Sequence, residues 1–441
     1  MSKLMTGCAT FDMSPHKGVR LAGYPHFPRP NCGVHDPLMA TCMYVSNGTT
    51  EVAMVTMDIL FFSKKYVAQV CAMANERCGI PASNITLTCS HTHSGPWAAG
   101  NPELEASIGD AADGDIDPVY LDKLINGLVD IIVEAKTNAF PGEFGYGVGI
   151  CGAEKGVGGN RCVKGGISDP QVCVTAIREA DTKKVRCVLT NYALHPTFLH
   201  EDSDWVSCDY PHYLRETVKK AFDGCIVGFA QGASGDQSSR YFRVGQSFDE
   251  AERVGGLMGQ TAIEVVNAMN FSDDITVAVA TEQFPIDIRV YDPIPVLEEK
   301  VREKTKIYED LKAAGASYLD VQNANLRMLG AEDMLGYAIC VRDGKRIDLR
   351  DDENPCSVTV VRLGDLFVVG LPGEIFVEYA LKIKEPGNIF VYELTNGCLP
   401  GYCYNDEELK TEGYEVGNSM VAPGFGNVLA AKAAKLIAEL K

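Results

Sequence analysis

The 441-residue chain has no apolar run approaching the roughly 18–20 residues that a membrane-spanning helix needs, so no stable membrane insertion is expected. Cationic residues are in deficit: 40 Lys and Arg face 59 Asp and Glu, a net charge of −19. Nucleic acids and anionic membranes require clustered cations, so the expected partner is a small molecule and no nucleic acid. No two of the 16 Cys form a CxxC pair, and they scatter through apolar runs, as at Cys71, Cys89, Cys187 and Cys225. That distribution suits buried reduced thiols better than a disulfide framework. Residues 1–11 contain one Lys and no sustained apolar stretch, which predicts no secretory signal and a cytoplasmic protein. The sequons at Asn47 and Asn84 are then accidental. With no repeat and no Pro/Ser-rich hinge, residues 1–441 read as a single domain, and homo-oligomerisation is left open.

What is present is a 46% hydrophobic chain in which short β-branched runs alternate with longer amphipathic segments. This is the pattern of an α/β fold, a mixed β-sheet core covered by helices. Strand-like runs occupy residues 52–60, 85–89, 185–194, 225–229 and 357–371. Helical spacing runs over 64–78, 118–135, 211–222, 248–269, 295–314, 376–384 and 427–440. Residues 142–166 hold ten Gly and are expected to form a loop or loose hairpin; residues 292–325 carry interleaved charges and read as a helical insertion.

Nearly every strand-like run ends in small, polar or metal-capable residues. The tips are Asp58; Ser90-His91-Thr92-His93-Ser94-Gly95-Pro96; His195-Pro196-Thr197; residues 231–239; and Pro372-Gly373-Glu374. Ligands collect outside the carboxyl ends of strands in helix-covered sheets, so these five tips are expected to meet. His91 and His93 are two apart and face one side of an extended chain. With His195 and Glu374 they offer the imidazole-plus-carboxylate set typical of catalytic zinc, although an isolated HxH also suits one capping and one core His. The 232–239 loop offers Ser238 and Ser239 hydroxyls, or simply caps a helix. Arg161 needs an anionic or carbonyl partner if buried and is unremarkable if exposed. Tyr402, Tyr404 and Tyr414 in a Gly-rich loop could bind a ligand or merely pack.

Taken in order, these motifs resemble the neutral (non-lysosomal) ceramidase family. The matching segments are the opening turn of residues 6–24, HTHSGP at residues 91–96, Asn160-Arg161, His195-Pro196 and Ser207-Cys208-Asp209. They continue with Gly235-Asp236-Gln237-Ser238, Pro372-Gly373-Glu374, Gly401-Tyr402 and Gly413-Tyr414-Glu415. The resemblance implies a zinc ion held by His91, His195, Glu374 and Tyr402, with His93 beside it, Ser238 as the catalytic serine, and Arg161 and Tyr414 contacting the amide or its carboxylate product. It implies hydrolysis of a linear amide. Two departures stand out: the family's proline after the serine is Ser239 here, and Arg240 follows. The chain is also expected to do without the signal peptide and C-terminal β-sandwich of secreted members. With Arg240 and Arg243 near the expected pocket, the substrate expected is a small polar amide rather than ceramide. Cleavage of an ester or lactone at the same metal, or a metal-containing binding protein without activity, are the alternatives.

Overall fold

The computed structural model describes residues 4–24, 27, 29–98, 116–343 and 354–441; residues 1–3, the start of the segment read as signal-free, lie outside them. Eight strands form the larger sheet: β1 (Met5–Asp12), β2 (Met39–Ser46), β3 (Glu51–Met57), β4 (Ile85–Cys89), β5 (Phe140–Ile150), β6 (Gln171–Glu179), β7 (Val185–Tyr192) and β8 (Ile226–Gln231). Their spatial order is β8-β7-β6-β5-β1-β2-β3-β4, with the short strand Phe271–Ser272 added to β5. A second sheet runs β9 (Val277–Phe284), β10 (Cys356–Leu363), β11 (Leu366–Gly370) and β12 (Ile389–Tyr392) in chain order. The expected mixed-sheet α/β architecture is present.

Most neighbours are antiparallel, but β3/β4, β7/β8 and β11/β12 are parallel. Parallel neighbours need a crossover, and a helix supplies each one. These are α1 (Lys64–Cys78), α3 (Tyr210–Ala221) and α7 (Val377–Lys384). The carboxyl ends of each pair therefore share an edge. Thr88 of β4 and Thr395, just past β12, meet Oγ1 to Oγ1 at 2.9 Å, which laces the corresponding edges of the two sheets together.

Local signals account for the helix ends. Asp117 caps α2 (Pro118–Thr137) by accepting from the Tyr120 amide at 2.8 Å, ahead of a proline that needs no donor partner. α1 stops at Gly79, whose φ of 77° is left-handed. Met43, Met54, Val361 and Val368 fill the space between the sheets. α1 and α2 cover one part of the larger sheet through Val70 and Leu128. α3 and α4 (Phe248–Ala268) cover another through Leu214 and Met258. α7 and α8 (Phe425–Leu440) cover the second sheet through Ile383 and Leu429. The layers are helix, sheet, sheet, helix.

Three expectations are corrected. The first third of the glycine-rich stretch, residues 142–150, is not loop but part of the eleven-residue β5. Gly145, Gly147 and Gly149 fall on one face at the strand period of two. A Cβ on them would come within 2.7, 2.8 and 2.4 Å of Met269, Val265 and Thr261, so the glycines admit α4. Residues 357–371 are two strands, β10 and β11, because Gly364 turns the chain with φ 66°. The charge-rich segment is α5 (Ile294–Ala313) followed by a second, longer helix, α6 (Tyr318–Arg342), which runs well past residue 325.

Candidate metal centre

The loops beyond the three parallel pairs supply the site. His91 and His93 follow β4, His195 follows β7, Ser238 follows β8 and Glu374 follows β11. Glu374 starts a two-residue strand that pairs in parallel with Tyr402–Cys403, placing Tyr402 opposite Glu374. Gln237–Ser238 pairs with Gly159–Asn160, and the next amide along, that of Arg161, donates to Asp236 O at 2.7 Å, which ties Arg161 to the serine loop.

Each imidazole is oriented by a backbone carbonyl: His91 Nδ1 lies 3.2 Å from Leu60 O, His93 Nδ1 2.9 Å from Gly23 O, and His195 Nδ1 2.7 Å from Ser234 O. A carbonyl only accepts, so Nδ1 carries the proton in each ring and Nε2 keeps a lone pair. Those lone pairs converge. His91 Nε2 is 3.1 Å from His195 Nε2 and 3.4 Å from His93 Nε2, and Glu374 Oε2 is 3.2 Å from the first and 3.3 Å from the second. Glu374 Oε2 is buried and receives no hydrogen bond among the described residues. Acceptors packed this closely repel unless a cation lies among them. Tetrahedral zinc with bonds of about 2.0–2.1 Å separates its ligands by about 3.3–3.4 Å, so the observed triangle fits.

The electrostatics agree. Burial, aided by Arg161, pushes the His195 imidazole down to about 3, and burial with His91 also holds His93 well below the ordinary range, so both rings stay in the neutral, ligating form. His91 has φ 64°, left-handed and strained for a non-glycine residue; its amide donates to Ile59 O at 3.0 Å and keeps it there. Gly23 is required where it is, since a Cβ would lie 2.6 Å from the His93 ring.

Of the eight residues given a role by the resemblance, seven line one cavity of about 370 Å³: His91, His93, Arg161, Ser238, Glu374, Tyr402 and Tyr414. His195, fully buried, lies behind His91. Arg161 is buried against Glu415, Nε to Oε1 2.8 Å, and its Nη2 donates to Gly235 O at 2.8 Å. Tyr414 Oη accepts from Asn418 Nδ2 at 2.7 Å, and Asn418 Oδ1 accepts from Tyr337 at 3.0 Å. Tyr402 sits beneath Arg161, 5.6 Å from ring centroid to guanidinium carbon. The donor atoms of His91, His93 and His195 gather as a group, so His93 stands nearer the centre than a purely outer role requires.

One tip does not join. Asp58 is buried but accepts from Arg215, 2.6 Å at Oδ2, and from the Met39 amide at 2.7 Å, so it is a structural anchor behind the site. Asp236 likewise accepts from Asn160 and from the Val377 amide and fixes the serine loop. The sequence reading missed Glu393, which accepts from Ser234 Oγ at 2.5 Å and the Ile375 amide at 2.9 Å and so braces the residues behind His195 and Glu374. It also missed the far wall of the cavity, α6. Leu319, Gln322, Leu326, Leu329, Asp333 and Tyr337 line the cavity at intervals of three and four, one helix face.

No protein-family model and no curated protein matches the chain. Among solved structures it is similar to neutral ceramidase from Pseudomonas aeruginosa, at 16% identity and a TM-score of 0.73, over 99% of this chain and 75% of that one. A ceramidase complexed with C2 matches with a TM-score of 0.72 at the same identity and coverage. The chain has a neutral-ceramidase-like fold, as the ordered motifs implied.

Proposed function

We propose that the protein is a zinc-dependent hydrolase of linear amides, cleaving an N-acyl compound into an amine and a carboxylate, with a small polar amide rather than ceramide as its substrate. The observation that carries this reading is the set of buried lone pairs on His91, His195 and Glu374, spaced as tetrahedral zinc requires at the floor of a cavity. Those three residues would hold the metal, with Tyr402 opposite Glu374 as the fourth ligand and His93 alongside. When bound, zinc supplies Lewis-acid polarisation of a carbonyl and acidification of water.

The remaining work falls to the chain's own side chains. Burial holds the Tyr414 phenol neutral, and because its oxygen accepts from Asn418, its own proton is free to be donated to a developing oxyanion. Arg161 keeps its charge because Glu415 offsets its burial, and it aims that charge from a fixed position. Ser238 Oγ accepts from the Arg240 amide at 3.2 Å, which leaves its hydroxyl hydrogen to donate to substrate.

The test is zinc content together with cleavage of a panel of N-acyl amides and matching esters, in wild type and His195→Ala. The expected result is about one zinc per chain and amide cleavage in wild type, both lost in the variant. Full zinc in His195→Ala overturns the ligand assignment; ester cleavage without amide cleavage overturns the substrate class.

A further inference from the structure

Past Ser238 the chain turns back along the cavity and places two arginines in its lining, Arg240 and Arg243. Both are half-buried. Among the described residues their guanidinium groups bond only to backbone carbonyls: Arg240 Nη1 donates to Arg161 O at 3.2 Å, and Arg243 Nη1 donates to Thr197 O at 3.0 Å. Among the described residues neither forms an ion pair. Two other buried arginines near the site are matched by carboxylates, Arg161 by Glu415 and Arg215 by Asp58. Among the described residues, the acids that line the cavity are also committed. Glu374 lies against His91 and His195, Glu201 bonds to His200, and burial pushes the Asp333 carboxyl on the opposite wall up to about 7, favouring its neutral form.

A guanidinium carries five N–H donors in a planar fork suited to an oxyanion, and partial burial makes leaving that fork unused costly. Here two forks open into one cavity. Their anchors, the Arg161 carbonyl and the Thr197 carbonyl, lie on the segments that carry Arg161 and His195, so both charges stand close to the reacting end of the cavity rather than at a distant mouth. Burial and the nearby Arg161 charge both work against the Arg240 cation, and Glu415 offsets them only in part. An anion supplied by the ligand would offset the remainder.

We propose that Arg240 and Arg243 form an anion subsite, and that the substrate is an amide bearing a carboxylate or similar oxyanion close to the scissile bond. The choice of amide rests on the hydrolase reading above; the subsite does not. The ketone 4-oxononanoate separates the two, because a methylene replaces the amide nitrogen and nothing can be cleaved. It mimics both N-hexanoylglycine, with the anion on the amine side, and N-butylsuccinamate, with the anion on the acyl side.

Calorimetric binding of 4-oxononanoate and its uncharged primary amide to the zinc-loaded protein should favour the carboxylate by about tenfold or more. The double variant Arg240→Gln, Arg243→Gln should bring that ratio close to one, and Arg240→Lys, Arg243→Lys should retain part of it, which covers the case of a glutamine pair that does not fold. A wild-type ratio near one overturns the subsite, as does a ratio that survives the glutamine pair, since the carboxylate would then be held at the metal. Discrimination by a protein that cleaves neither parent amide upholds the subsite while removing the hydrolase reading. If one parent is cleaved, its identity gives the side that bears the anion.

Discussion

The strand-tip histidines and the side chains of α6 line the same cavity on opposite terms. On the floor, His91 and His195 are 1% and 0% exposed, each ring is pinned by a backbone carbonyl, and the carbonyls belong to loops braced by Glu393 and Asp58. On the wall, Leu319, Leu326 and Leu329 are not fully buried and contribute shape rather than hydrogen bonds. Metal chemistry tolerates errors of tenths of an ångström and therefore needs a floor built on rigid strands. Selection among substrates needs only a surface of suitable width and polarity, which a helix can supply.

The contrast predicts effects of different kind and size. The largest belongs to the floor: Glu374→Ala should weaken zinc binding by more than about 100-fold, since even the outer partners of metal ligands are worth about 10–100-fold. Competition with a chromophoric chelator measures it, and unchanged affinity would remove Glu374 from the centre. A wall substitution should act otherwise. Leu329→Ala should raise KM for whichever amide of the panel is cleaved by about tenfold while zinc content stays the same; loss of zinc in this variant would erase the division between floor and wall.

The smallest effect concerns Asp333, whose carboxyl burial pushes up to about 7. A folded-state value above the unfolded value of about 4 means that the folded chain holds the proton more tightly, so ionisation penalises the fold. The penalty grows as pH rises from about 4 to about 7 and is constant above. Asp333→Asn should therefore melt about 1–3 °C above wild type at pH 8, with a smaller gap at pH 4.5. Parallel melting curves would place Asp333 in water.

Most of the floor was legible in the sequence, because buried strands announce themselves as apolar runs and the residues that follow them are conspicuous. Residues 64–78 and 85–89 were read to the residue. The errors have physical causes. The glycines of β5 looked like loop residues because propensity carries no information about a helix packing within 3 Å. α6 was cut short at residue 325 because Asn323, Asn325, Gly330 and Gly336 weaken its helical signal, and its stripe at 319, 322, 326, 329, 333 and 337 mixes leucine with polar residues. Asp58 was expected to join the other tips because a carboxylate at a strand end suits a site as well as it suits Arg215, 157 residues away.

By itself the sequence determined the inventory: which runs become strands, that they end in imidazoles, hydroxyls and a carboxylate, and that negative charges exceed positive ones by 19. It also carried the order of motifs that pointed to the fold. Only the tertiary structure decided which tips meet. Convergence of residues 91, 195 and 374 to within 3.3 Å depends on three crossovers and on two sheets stacked edge over edge. The same packing decided which arginines found carboxylates and which two were left facing the cavity, because ion pairing is a matter of distance in space and not along the chain.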